Sequence, residues 1–161
     1  MNFARTLQAG LAVAGFAFAP LAAPADSAAG MLERGRYVVM ISGCNDCHTR
    51  DYAMSGGHVP EKQWLTGDTL GWRGPWGTTY PTNLRIYMSS LSEDEWVKGA
   101  RTLTARPPMP WFNLREMSEQ DLRALYRFVS SLGPAGSPAP AYLPPDREPK
   151  GPVVAFPTPP K

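Results

Sequence analysis

The 161-residue sequence predicts an all-α fold, a small helical bundle with long ordered loops and a proline-rich C-terminal extension. Three observations carry that expectation. Leu122, Leu125, Tyr126, Val129 and Leu132 recur at i, i+3, i+4 and i+7 spacing, which marks one face of a helix. Ser92-Glu93-Asp94-Glu95 and Ser118-Glu119-Gln120-Asp121 read as helix N-termini, the first as a capping box. Ten of the 18 prolines fall between positions 134 and 160, where no periodicity is left.

Composition narrows the function classes. The length suits one domain, or one domain with an appendage. Two cysteines cannot supply a multi-bridge scaffold or a cysteine-rich zinc site. A net charge of +2, with basic residues scattered along the chain, gives no nucleic-acid-binding face.

Taken in order, residues 1–25 read as an export signal. Arg5 gives a positive start, residues 11–23 are small and apolar, and Ala23 and Ala25 form a small-x-small cleavage site. An uncleaved anchor is the competing reading, but the run falls short of the roughly 20 residues a span needs and is broken by Pro20 and Pro24. No later apolar run is long enough to span, so after signal cleavage no stable membrane insertion is expected and the mature chain belongs in the periplasm. Residues 31–42 follow as a short helix running into Gly43, with Leu32, Tyr37, Val38 and Ile41 on one face. Residues 50–85 are rich in Gly, Pro, Thr and Trp and read as an ordered loop, with a small hairpin around residues 64–76. The helix opened by Ser92 ends near Gly99 or Arg101, and the one opened by Ser118 ends at Gly133-Pro134. The expected organisation is a signal peptide over 1–25, a folded domain over 26–133 and an extended tail over 134–161. The tail reads either as a disordered spacer or as an arm that wraps a partner through Tyr142, Leu143, Val153, Val154 and Phe156.

Three short helices and this much loop would struggle to close a core from side chains alone. A large apolar prosthetic group at the centre resolves the shortfall. Cys44-Asn45-Asp46-Cys47-His48 supplies its attachment signature, the C-x-x-C-H run of a c-type haem. Two cysteines three apart on a helical turn can each form a thioether to a vinyl group, while the next residue, His48, faces the iron. A disulfide, a thioredoxin-like pair and half of a zinc site are the competing readings. The zinc site lacks further cysteines, and the redox pair lacks a βαβ setting.

A second axial ligand has to come from His58 or from Met31, Met40, Met54, Met88, Met109 or Met117. Met109 is the best placed. It lies 61 residues after His48 in Arg106-Pro107-Pro108-Met109-Pro110-Trp111, where three prolines forbid a helix and stiffen the strap. Met88 and Met117 sit beside helix starts and read as packing residues. Filling both axial positions leaves no open site for substrate and suits one-electron transfer, so haem c held by Cys44 and Cys47, with His48 and Met109 on the iron, is the expected centre. A five-coordinate or labile-ligand haem protein, acting as a gas sensor or redox enzyme, is the alternative.

With these motifs in place the sequence resembles the cytochrome c family in its small monohaem form. The segment Glu33-Arg34-Gly35-Arg36-Tyr37-Val38 ahead of the haem motif is similar to the family's N-terminal helix. Gly35 there permits a close crossing with the C-terminal helix, where Tyr126 is the natural aromatic partner. Gly74-Pro75-Trp76-Gly77-Thr78-Thr79-Tyr80-Pro81-Thr82-Asn83-Leu84 is similar to a loop in cytochrome subunits of bacterial periplasmic dehydrogenases, as is the Met109 strap followed by Leu122-Arg123-Ala124-Leu125-Tyr126. The likeness covers about 31–134. It departs from those subunits in having a single haem motif, and in Leu84-Arg85-Ile86-Tyr87 where many continue Thr-Pro-Asp. The resemblance implies a cytochrome c-like bundle around one covalent haem, a periplasmic dehydrogenase as electron donor and another cytochrome or an oxidase as acceptor.

Several residues have two readings at this level. Trp72, Trp76, Tyr80 and Trp111 either line the haem crevice or pack a small core. Arg73 and Arg85 either neutralise propionates or sit solvated. Arg101, Arg106 and Arg115 either form a positive docking rim or are an ordinary charged surface.

Overall fold

The computed structural model describes residues 27–157; the expected signal peptide, 1–25, lies outside the described residues, as does the end of the tail, 158–161. Six helices are present among them: α1 (Ala28–Ile41), α2 (Cys44–His48), α3 (Leu84–Ser89), α4 (Glu93–Thr102), α5 (Trp111–Glu116) and α6 (Glu119–Ser131). Three short strands accompany them, β1 (Gly71–Gly74), β2 (Gly77–Thr79) and β3 (Val153–Ala155), with one 3-10 turn at Glu61–Gln63.

The long helices start where their caps dictate. The Ser27 hydroxyl accepts from the Gly30 N–H at the head of α1, and the Ser118 hydroxyl accepts from the Asp121 N–H at the head of α6. At α4 the capping box is complete, with Ser92 and Glu95 satisfying each other's backbone N–H. α1 packs directly on α6, and Gly35 makes that possible: a Cβ there would lie 2.0 Å from the Ala124 carbonyl oxygen and 2.7 Å from Phe128 Cβ. The aromatic partner at this crossing is therefore Phe128. Tyr126, expected there from the resemblance, instead sends its hydroxyl to the Leu91 carbonyl at 2.6 Å. The core gathers Val38, Val39, Trp64, Leu65, Met88, Trp96, Leu122, Leu125, Phe128 and Val129. Trp64 and Leu65 come from the loop, so burial orders a segment that has no helical or strand pattern.

The chain is not all-α. The strands form one mixed sheet in the order β2-β1-β3. β1 and β2 make an antiparallel hairpin with Trp72 opposite Thr79, and β3 joins β1 in parallel with Val154 opposite Trp72. The hairpin is centred later than the sequence suggests, with Pro75 and Trp76 between its strands. The physical reason for β3 lies in the tail's prolines. They keep the chain extended with its carbonyls unpaired, and Pro152 offers its oxygen to the Gly71 N–H at 3.0 Å. Beyond it, the Phe156 N–H returns a bond to the Arg73 carbonyl at 2.7 Å. A three-residue strand is too short for any alternation to register.

The described part of the tail accordingly wraps its own domain. Asn83 Nδ2 donates to the Ala135 and Ser137 carbonyls, Phe156 packs on Trp72 and Trp76, and Arg73 pairs with Glu148 at 2.6 Å. Arg73 also donates to the Arg147 carbonyl, so its guanidinium is committed to the tail. Arg85 is buried and committed too: it donates to the carbonyls of Gly133 and Lys62 at 2.5 and 2.7 Å, and to that of Leu132. It thereby clips α3 to the end of α6 and to the loop. Neither arginine is left to neutralise a propionate.

A pH dependence follows from the α1–α6 and α4–α6 ion pairs. The Arg34 guanidinium holds the Asp121 carboxyl below its ordinary value, and Arg127 with Arg123 does the same for Glu93. Lowered folded values mean that these pairs stabilise fully above the ordinary carboxylate range of about 4 and lose that contribution as the pH falls through the lowered values. Urea midpoints should therefore fall on acidification below about pH 4, and Asp121→Asn should flatten part of that slope.

Candidate functional site

α1 ends because Gly43 adopts φ +67°, a left-handed conformation that glycine takes without strain, and the chain re-enters helix at once as the single turn α2. That turn carries Cys44 and Cys47 three apart and places His48 at its last position. Both thiols are free and partly buried. Burial pushes the Cys44 thiol up to about 11 and also raises Cys47, with Asp46 adding to both. A catalytic dithiol needs the opposite, a lowered pKa that supplies thiolate at neutral pH. The raised thiols give no support to the redox-pair reading. Among the described residues no group of three or more His, Cys, Asp and Glu side chains is arranged to hold a bare metal ion.

His48 is the most constrained member of the turn. Its ring is buried, and Nδ1 lies 2.7 Å from the Thr82 carbonyl oxygen. A carbonyl only accepts, so Nδ1 carries the proton and Nε2 presents its lone pair. Burial lowers the imidazole's pKa, which keeps the ring neutral. The bond to Thr82 uses Nδ1, which leaves Nε2 as the ring's acceptor atom. The ring is therefore fixed in orientation and tautomer, with a donor atom left over, as a metal-bound histidine requires.

The scaffold around it is built from backbone. The Gly67 N–H donates to the His48 carbonyl at 2.8 Å, and the Asp68 N–H donates to the Pro81 carbonyl at 3.3 Å. Gly67, at φ +75°, sits so close to the next layer that a Cβ would lie 2.8 Å from the Pro81 oxygen and from the Asn83 nitrogen. Thr49 completes the turn: its hydroxyl donates to Asn45 Oδ1 and accepts from the Leu65 N–H, each at 2.7 Å.

Met109 lies half-buried against the core, in the strap between α4 and α5. The strap is tied down just before it, where Thr79 Oγ1 donates to the Pro107 carbonyl at 2.8 Å. One short segment therefore serves both candidate ligands: Thr82 orients His48 and Thr79 holds the strap. Three residues of chain separate those anchors by at most about 11 Å. The other donors are disposed differently. Met31 and Met88 are buried, Met117 packs against the core, Met40 and Met54 are exposed, and exposed His58 turns Nδ1 to the Ser55 carbonyl.

Three buried N–H groups have no partner among the described residues: Asn45 Nδ2, Trp76 Nε1 and Arg115 Nε. A buried unpaired donor is costly and calls for an acceptor. Two free thiols three apart on one turn, with an imidazole held through Nδ1 at the next position, are the donor set that a covalently held haem would use, and the half-buried Met109 offers a thioether as a second ligand. The arginines near the strap have partners within the chain: Arg101 donates to the Arg115 carbonyl, Arg115 Nη2 to that of Thr102, and Arg106 stacks on the Tyr142 ring. Thr79, Thr82 and Gly67 escape a reading of the sequence for site residues, because backbone acceptors and close approaches leave no side-chain signature.

Comparison with known proteins adds one relationship. Over 123 residues, 70% of this chain, the sequence is 32% identical to a nicotinate dehydrogenase subunit of Pseudomonas putida. The matched stretch makes up 10% of that protein, so the chain spans about a tenth of the relative it matches. The relationship is a distant homology to a dehydrogenase subunit. No protein-family model matches the chain, and no solved structure matches it significantly.

Proposed function

We propose that the chain is a monohaem c-type cytochrome that passes single electrons in the periplasm and receives them from a dehydrogenase. The observation that carries this reading is His48, a buried neutral imidazole oriented by the Thr82 carbonyl with Nε2 left as its acceptor atom, directly after two unpaired cysteines on the same turn. When bound, a c-type haem supplies a one-electron ferric/ferrous couple.

The residues of the chain determine how that couple is used. Cys44 and Cys47 anchor the group covalently, which keeps it in place in an exported protein. His48 would hold the iron through Nε2, with the Thr82 acceptor fixing its ring and raising the basicity of that nitrogen. Met109 would supply the second ligand, a thioether that would favour the reduced state and leave no position for oxygen or substrate. With both positions filled the protein works as an electron carrier and not as an enzyme. The dehydrogenase as donor rests on the homology to a dehydrogenase subunit. Another cytochrome or an oxidase is the acceptor class. The periplasmic location rests on the sequence of residues 1–25, and no helix among the described residues is long and apolar enough to cross a membrane.

An optical spectrum of the full-length protein, expressed with export and covalent haem maturation, tests the reading. The protein should be coloured, keep its haem through acid–organic extraction, and show a sulfur-to-iron band when oxidised. A colourless protein with Cys44 joined to Cys47 would refute the proposal.

A further inference from the structure

We propose that Tyr142 is a positioning residue for Met109, acting through Arg106, so that the C-terminal tail clamps the strap that carries the sulfur. This rests on the ligation proposed above and adds to it a residue remote in sequence from both axial ligands. The contacts are continuous. Leu143 exchanges two backbone hydrogen bonds with Thr78, at 2.7 and 3.0 Å, and the Tyr142 hydroxyl donates to the Trp76 carbonyl at 2.8 Å. Gly77, at φ +101°, is what lets the tail approach: a Cβ there would stand 2.3 Å from the Leu143 carbonyl oxygen. The tail is thus fixed to β2. The Arg106 guanidinium then lies over the Tyr142 ring, 3.8 Å from its centroid.

Arg106 is three residues before Met109, and its neighbour Pro107 is held from the other side by Thr79 Oγ1. The entry to the strap is therefore gripped by the tail at one residue and by β2 at the next. Pro107 and Pro108 have restricted φ, which limits how far the strap can relax between that grip and the sulfur. A thioether is a weak ligand, so its hold on the sixth position depends on how completely the strap is preorganised. Releasing Arg106 lowers the population of the ligating strap and hands the position to a competitor.

The test is a titration of the oxidised, haem-loaded full-length protein with imidazole, followed by loss of the sulfur-to-iron band. Tyr142→Leu and Arg106→Gln should each tighten apparent imidazole binding about threefold, the scale of one cation–π contact. The double variant should match either single variant, because both break the same contact. Tyr142→Phe, which keeps the ring under Arg106 but loses the hydroxyl's bond to the Trp76 carbonyl, should fall between the wild type and Tyr142→Leu. Unchanged imidazole affinity in Arg106→Gln, or effects that multiply in the double variant, would overturn the proposal. Arg106 is exposed, so this variant decides the matter even where Tyr142→Leu loosens the whole tail. A wild type with no sulfur-to-iron band before imidazole is added overturns the ligation itself, and this inference with it.

Discussion

Met109→Ala should give a protein that still holds haem covalently but binds carbon monoxide at once when reduced and has a lower potential. The two halves of that expectation have different physical origins. On the proposed reading, attachment would depend on Cys44, Cys47 and His48, which share one turn, with His48 held by the Thr82 carbonyl. On the same reading, ligation opposite His48 would depend on the thioether alone. Removing it eliminates the ligand that favours the reduced iron, and the expected fall is on the order of 0.1 V within the roughly 0.8 V range that axial ligands span. The fold should survive, because Met109 is only half-buried and truncation there costs less than the ~2–5 kcal/mol of a fully buried methionine. Spectroelectrochemistry and carbon monoxide binding read the two effects separately. A variant with the wild-type spectrum and potential would remove Met109 from the site.

How much of this could be read in the sequence depended on whether the signal was local. The helical turn at Cys44–His48 was legible because the Cys-x-x-Cys-His spacing sits on consecutive residues. α4 and α6 were legible through their serine caps and, in α6, a long apolar stripe. α1 was only half legible. It was expected over 31–42 with Leu32, Tyr37, Val38 and Ile41 on one face, but it runs Ala28–Ile41 from a Ser27 cap and buries Met31, Gly35, Val38 and Val39, leaving Leu32, Tyr37 and Ile41 exposed. α3 and α5 were not, because six residues make fewer than two turns and no period can show, although Asn83 does cap α3 by accepting from the Ile86 N–H. The parallel pairing of β1 with β3 joins residues far apart in the chain, and nothing in Val153-Val154-Ala155 names its partner. Phe128 and Tyr126 show a subtler limit. They flank the buried stripe of α6 on opposite sides, and periodicity locates the stripe without saying which flank meets Gly35. Arg85 shows another. A guanidinium suits carboxylates and helix-end carbonyls alike, and only the fold directs this one to Leu132 and Gly133.

Gly35→Ala should destabilise the protein by about 3 kcal/mol or more, enough to lower the melting temperature by roughly 10 °C. In an ordinary helix interior the same change is favourable by up to ~1 kcal/mol, since alanine restricts the unfolded chain and has the higher helix propensity. Here the new Cβ would stand 2.0 Å from the Ala124 carbonyl oxygen, and a backbone atom cannot rotate out of the way. The helices have to part, and with them the contacts of Val38, Val39, Leu125 and Phe128 that form the middle of the core. Gly99 supplies the control. It lies inside α4 with nothing within 4 Å of an added Cβ, so Gly99→Ala should stabilise by about 0.5–1 kcal/mol. Opposite signs at two helical glycines of one chain isolate the contact from the propensity. Thermal unfolding of both variants reads the difference directly, and a neutral Gly35→Ala would mean that α1 does not cross α6 at this point. Because α1 leads through Gly43 into the Cys44–His48 turn, the same crossing also sets where His48 stands relative to Thr82.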